Sequence, residues 1–146
     1  MRKITLILTC ILTLCFGSLR ADNEKVIPVN QFPATAQQLI TQHFGDKKVA
    51  VSKVESDILS KSYEVIFTDG DKVEFDSKGN WEEVDCRFSS VPTGIIPAPI
   101  MNYVKENYPD AIIKKIEKDR REYEVKLSNR VELSFDMKFN LTDIDM

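Results

Sequence analysis

Few side chains in this 146-residue sequence could do covalent chemistry. His43 is the only histidine, and the cysteines are Cys10, Cys15 and Cys86. A Cys–His nucleophile needs the imidazole beside the thiol. His43 falls next to Phe44 at the end of an expected helix, Cys86 follows Val84-Asp85 at an expected strand end, and no flanking motif joins them. Gly-x-Ser-x-Gly, Cys-x-x-Cys and a phosphate-cradling Gly loop are missing from the sequence. The reading is of a chain with no catalytic residue. His43 is a helix-terminal group placed well for the dipole, and Cys86 is a buried or half-buried lone thiol.

Carboxylates offer the remaining chemistry. Asp69-x-Asp71, Glu82-Glu83-x-Asp85 and Asp143-x-Asp145 are oxygen-ligand clusters of the kind a hard cation uses. None forms the twelve-residue calcium loop, because its Gly and terminal Glu positions are not met. Solvated turn and strand-edge charge accounts for them more economically. Asp69, Asp71, Asp143 and Asp145 therefore stand as metal candidates, calcium is the one cofactor they suggest, and no other is expected.

The elements that position these groups are written in duplicate. Sliding the chain by 60 residues aligns Tyr63-Glu64-Val65 with Tyr123-Glu124-Val125, Phe75-Asp76 with Phe135-Asp136, Lys78 with Lys138, Asn80 with Asn140 and Asp85 with Asp145. That is eight identities in 23 positions, where average composition gives about one or two. Upstream the offset becomes 62 (Lys53-Val54-Glu55 on Lys115-Ile116-Glu117) and then 64 (Pro33-Ala34 on Pro97-Ala98, Phe44 on Tyr108). Two repeats, about 26–86 and 90–146, make up a single domain over 22–146.

Each repeat reads as one helix and about four antiparallel strands. The first helix opens at Pro33 and stops at Gly45; the second opens near Pro97 and is stopped by Pro109. Period-two alternation follows, as in Tyr63, Val65 and Phe67 against Glu64, Ile66 and Thr68. Asp69-Gly70 and Lys78-Gly79-Asn80 read as hairpin turns. A half of roughly 60 residues buries its apolar face poorly, so the halves must share a core. The expectation is an α+β fold with two helices on one face of one roughly eight-stranded antiparallel sheet.

The other sheet face is left to solvent, and its candidate binding residues are Glu64, Ile66, Glu74, Glu124, Lys126, Glu132 and Ser134. Trp81, after the first Gly-Asn turn, is a core residue or, if exposed on that sheet, a binding anchor. The Pro-rich stretch from Cys86 to Pro99 reads as a linker between halves, with Ile95-Ile96 as staple residues before the second helix.

Arg2 and Lys3 precede thirteen residues, Ile4 to Phe16, with no charge, followed by Gly17, Ser18 and Ala21. This is the order of a secretory signal peptide over 1–21, and the run is shorter than the about 20 residues a membrane span needs. Without that segment the 20 basic residues fall to 17 against 23 acidic ones, a net charge of −6. One cysteine remains, so no internal disulfide forms. The acidic balance leaves nothing to neutralise phosphates, which excludes nucleic acid. A periplasmic or secreted protein is expected, with no membrane span after signal cleavage.

The leading Pro of each helix, Tyr-Pro-Asp at 108–110, Lys-Ile-Glu at 115–117, the Tyr-Glu-Val strands and the Phe-Asp-x-Lys turns ending in Asn80 and Asn140 resemble the PepSY-like proteins. These are secreted proteins of Bacteroidetes with a β-lactamase-inhibitor-protein-like fold. The resemblance spans about Val26 to Asp145. It implies a non-enzymatic module that binds another protein of the periplasm or exterior, as an inhibitor or regulator of a peptidase or other envelope enzyme. The alternative it leaves is an acidic ligand- or calcium-binding envelope protein, since calcium regulation has been suggested for the family. The inhibitor protein itself is held by disulfides, which a single Cys86 cannot form, so a β-lactamase target does not carry over.

Overall fold

The computed structural model describes residues 23–146; the expected signal peptide lies outside them. Two helices, α1 (Ala34–Phe44) and α2 (Ala98–Asn107), each begin after a proline whose φ of −54° (Pro33) or −55° (Pro97) is already helical. The strands are β1 (Glu24–Val26), β2 (Val49–Ser56), β3 (Lys61–Phe67), β4 (Lys72–Phe75), β5 (Trp81–Asp85), β6 (Ile113–Lys118), β7 (Glu122–Leu127), β8 (Glu132–Asp136) and β9 (Leu141–Asp145). They form one antiparallel sheet in chain order, β1 to β9. Four strands follow each helix as expected. The extra one, β1, pairs along β2 through Lys25 opposite Val54.

Alternation along the strands puts Tyr63, Val65, Phe67, Val73, Phe75, Val84, Ile116, Val125, Leu133 and Phe135 on one face, all buried. The helices cover that face. Phe44 of α1 stacks on Phe67 with ring centroids 5.0 Å apart, and Tyr103 of α2 meets Phe135 edge-on at 5.5 Å. One apolar cluster runs through both halves, so neither half carries a core of its own.

The halves match in detail down to their turns. Gly70 and Gly79 have φ of 91° and 86°; sixty residues on, Arg130 and Phe139 take φ of 72° and 65°. Asp76 accepts the N–H groups of Lys78 and Asn80 at 2.8 and 2.9 Å, and Asp136 accepts those of Lys138 and Asn140 at the same distances. Glycine is required at 79 for a second reason: a Cβ there would lie 2.8 Å from Pro33 Cβ and 2.9 Å from the Ala36 nitrogen.

Two details differ from the sequence reading. Ser52 stands opposite Val65, and Ile116 opposite Val125, so β2 and β6 correspond at an offset of 64 rather than 62. The Pro-rich stretch is also no loose connection. In Val91–Pro97, Ile95 N–H bonds the Pro92 carbonyl at 3.0 Å and Ile96 N–H that of Thr93 at 3.3 Å. Gln31 and Phe32 bond Pro28 and Val29 in the same way at 3.0 and 2.9 Å. Val91, Ile95 and Ile96 are buried, so this segment is the second half's copy of the lead-in to α1.

Candidate functional site: the open face of the sheet

Residues that alternate with the core line the uncovered face, and strand register sets them in rows. Glu64 is opposite Glu74, Glu74 opposite Glu83, Glu83 opposite Glu117, and Glu117 opposite Glu124. Five glutamates from five adjacent strands thus stand side by side, continued by Ser134 and Asp143. The next row, through Ile66, Lys72, Asp85, Lys115, Lys126, Glu132 and Asp145, carries the counter-charges. Every candidate of the open face except Trp81 is placed there and half-buried.

Opposed like charges on a sheet repel, and two lysines offset this along the glutamate row. Lys72 lies 2.8 Å from Glu74, 3.1 Å from Glu83 and 3.7 Å from Glu64. Lys115 lies 3.4 Å from Glu83 and 3.3 Å from Glu117. At the row's end Lys53 holds Glu64 at 3.1 Å and Glu24 at 2.8 Å. No ion pair reaches Glu124 among the described residues.

The carboxyl groups respond in opposite directions. Burial pushes Glu74 above the ordinary range, against the pull of Lys72 and helped by a hydrogen bond shared with Glu64. Burial likewise raises Glu117, and its hydrogen bond to Glu83 adds to the rise. Glu83 is also penalised by burial, but the hydrogen bonds from Glu117 and Lys72 outweigh it and hold it below the ordinary range. A trench of about 350 Å³ lies over this part of the sheet, lined by Glu74, Glu83, Glu117 and Glu124 with Glu82, Lys118, Asp119 and Glu122. Its walls are polar and acidic, a surface matched to a cationic group rather than an apolar one.

Of the two placings open to Trp81, core packing or an anchor on the open face, the structure takes packing. Trp81 is in register with Phe75, because a bulge at Glu82 shifts β5 by one residue, and so it lies on the helix side. There it is half-buried, 6.5 Å from Tyr123, with Lys118 Nζ 4.8 Å over its ring. It is a packing residue and no anchor of the open face.

The carboxylate clusters are also resolved. Asp71 is fully buried and takes Lys47 Nζ as its cation, and Ser89 Oγ donates to it at 2.5 Å. Lys47 also reaches Asp69 at 2.5 Å, so one lysine bridges the two carboxylates of Asp69-x-Asp71. The second Asp71 oxygen, Oδ1, is buried without a hydrogen-bond partner. Asp143 and Asp145 sit exposed on β9. No group of three or more potential metal-binding side chains converges among the described residues. Cys86 is buried and free. Burial, with Asp71 beside it, pushes its thiol up to about 12, against the pull of Ser89 and Lys47. His43 instead lies against Gly94 in the lead-in to α2.

The sequence did not reveal the glutamate row. Glu83 and Glu117 are far apart in the chain, and only the β5–β6 pairing that joins the halves brings them opposite each other.

The family described as "Putative beta-lactamase-inhibitor-like, PepSY-like" matches residues 61–143. A putative calcium-regulated periplasmic protein from Bacteroides thetaiotaomicron is similar at 67% identity with a TM-score of 0.84, the match covering 86% of this chain and 99% of that one. A putative periplasmic protein of the DUF2874 family from Bacteroides vulgatus matches at 57% identity, TM-score 0.84, with the same coverage. A further periplasmic protein of unknown function from Bacteroides vulgatus matches at 39% identity and TM-score 0.78, over 84% of this chain and 99% of that one. No curated protein matches. No helix among the described residues is long and apolar enough to cross a membrane.

Proposed function

Because the chain belongs to the PepSY-like family, whose solved members are periplasmic, we propose that it is a non-enzymatic binding module of the envelope. Its working surface is the open sheet face, and its partner is a protein that presents basic side chains, held as an inhibitor holds its target. The observation that supports this is the row Glu64–Glu74–Glu83–Glu117–Glu124. Such a row weakens the sheet that carries it, whereas a basic partner turns the same charges into attraction and faster encounter.

Capture of periplasmic proteins on the immobilised chain tests the reading. A protein retained by the wild type and released by Glu83→Gln/Glu117→Gln supports it. Retention of the same set of proteins by both refutes it.

A second reading has one specific support, the description of the 67% identical relative as calcium-regulated. In it, Ca²⁺ neutralises the glutamate row and so switches the face. Carboxylates of neighbouring strands would have to converge on the ion, as no ready cluster of three exists among the described residues. Calorimetric titration decides it: heat on adding Ca²⁺ that Glu83→Gln/Glu117→Gln abolishes supports the reading, and no heat ends it.

A further inference from the structure

The helix side of the sheet carries a concavity of its own, about 260 Å³, where α1 overhangs the β5–β6 seam. Thr35, Gln38, Leu39, Gln42 and His43 line it from one stripe of α1. Asn80 and Trp81 line it from the turn into β5, and Lys118 of β6 completes the wall. His43 seats here because residue 94 is a glycine: a Cβ there would lie 2.7 Å from the imidazole Cε1.

The hydrogen-bonding groups of this wall are not used by the fold. Gln37 and Thr41 of the same helix donate to the Phe32 and Gln37 carbonyls at 2.7 and 2.9 Å. The side chains of Thr35, Gln38 and Gln42 make no hydrogen bond among the described residues. Asn80 donates to Asp76 at 3.1 Å, which leaves its own side-chain oxygen to accept. The second half folds on the same plan without these groups. Asn102, Glu106 and Leu141 stand in the places of Gln38, Gln42 and Trp81, and no strand follows β9 among the described residues to supply a wall as β6 does. The duplicated fold therefore does not call for a half-buried indole at 81.

The wall chemistry selects the class of ligand. None of the lining residues is acidic, in a chain with 23 acidic residues. Lys118 has its counter-charge beside it: burial and Asp76 raise the Glu82 carboxyl, and Lys118 pulls the other way. An anion would thus find only a cation already matched, and an apolar ligand would leave the amides unpaired. Amides both donate and accept, as hydroxyls do, and the face of an aromatic ring is negative, suited to polarised C–H groups. A sugar ring carries hydroxyls around its edge and C–H groups on its faces. The space, about 260 Å³, is below the roughly 300–1,000 Å³ of pockets for drug-sized ligands and takes one ring. We infer that this pocket binds a neutral saccharide, one sugar ring displacing the Lys118 ammonium from the Trp81 indole and placing its hydroxyls on Gln38, Gln42 and Asn80. The site lies on the helix side and stands whatever the glutamate row binds.

Trp81 is the only tryptophan of the chain, so its emission reports this pocket alone. The protein is titrated with the methyl glycosides of glucose, mannose, galactose and N-acetylglucosamine, each to about 50 mM. At least one is expected to shift the emission saturably, with a Kd of about 10 mM or below. Gln38→Ala/Gln42→Ala weakens that binding by roughly tenfold and, both side chains being exposed, leaves thermal unfolding unchanged. Trp81→Leu, which copies Leu141, abolishes saturation transfer from protein to glycoside protons by NMR. Lys118→Ala, which takes the cation off the indole, keeps the affinity within about twofold or raises it. No saturable shift with any of the glycosides, a shift untouched by Gln38→Ala/Gln42→Ala, loss of binding in Lys118→Ala, or an equal shift with the peptide trialanine overturns the inference.

Discussion

Replacing Glu117 by Gln tests whether the glutamate row is held under electrostatic strain. Glu117 stands directly opposite Glu83 on one side and Glu124 on the other. Each such like-charge contact costs roughly 0.2–1 kcal/mol. Against them stands one partly exposed pair, Lys115 at 3.3 Å, which contributes roughly 0.2–1 kcal/mol. Two repulsions outweigh one attraction, so the amide stabilises the fold at pH 7 by about 0.5 kcal/mol, a rise in Tm of about 2 °C for a domain this size. The pH dependence adds a second check. Glu117 is raised in the folded state above its ordinary 4.5, so the folded chain holds this proton more tightly than the unfolded one. The stability it confers is present below about pH 4.5 and is lost as pH rises through the raised value. Glu117→Gln should therefore melt above the wild type at pH 7 and alongside it at pH 4, by calorimetry at low salt. In 0.5 M NaCl the advantage at pH 7 shrinks. A variant less stable than wild type at pH 7, or equally shifted at both pH values, refutes the reasoning.

Four further outcomes follow from other parts of the molecule. Lys47→Met leaves the buried Asp71 carboxylate without its cation and is expected to cost roughly 3–5 kcal/mol in urea unfolding. Adding Asp71→Val, which copies Val131 at the matching position, should restore most of that loss. Asp76→Ala and Asp136→Ala each remove three turn hydrogen bonds, and each is expected to lower Tm at pH 7. Both carboxylates lie below their ordinary value, so their contribution is present above about pH 3.8 and disappears as pH falls through the lowered pKa; the deficit of each variant closes in acid. The Cys86 thiol, buried and pushed up to about 12, should resist a thiol reagent at pH 8 until the chain unfolds; labelling faster than unfolding would contradict its burial. Gly79→Ala should destabilise by roughly 1–3 kcal/mol, because its Cβ meets the start of α1 and its φ is 86°. The neighbouring exposed Lys78→Ala should be silent by the same measurement.

Much of the fold was legible because its signals are local. Pro33 and Pro97 mark helix starts through their own φ, and the alternation of Tyr63, Val65 and Phe67 shows which face is buried. What the sequence misplaced depended on register. A slip of two residues along β2 leaves every side chain on the same face. Lys53-Val54-Glu55 therefore aligns with Lys115-Ile116-Glu117 as convincingly as the true partners do, and only the pairing of Ser52 with Val65 shows the difference. Trp81 stayed open between core and open face for the opposite reason. A one-residue bulge at Glu82 carries it to the helix side, and nothing in the residue types announces a bulge. The glutamate row is a contact between strands distant in sequence, so composition and spacing could show acidic clusters but not their alignment.

The β5–β6 pairing also determines how the molecule is dimensioned. β9 ends the second half as β5 ends the first, with a bulge at the same point, Ser134/Phe135 against Glu74/Phe75. Ile144 takes the place of Val84. Val84 is fully buried because β6 lies beyond it; Ile144 is 43% exposed because no strand lies beyond it among the described residues. The sheet thus grows by translation and never closes on itself. The count of units, rather than barrel geometry, sets its width. A grafted third copy of Val91–Asp145 would find a ready edge at β9, seal Ile144 and add four strands. What limits such growth is the accumulated twist, which makes open sheets beyond about ten strands curl.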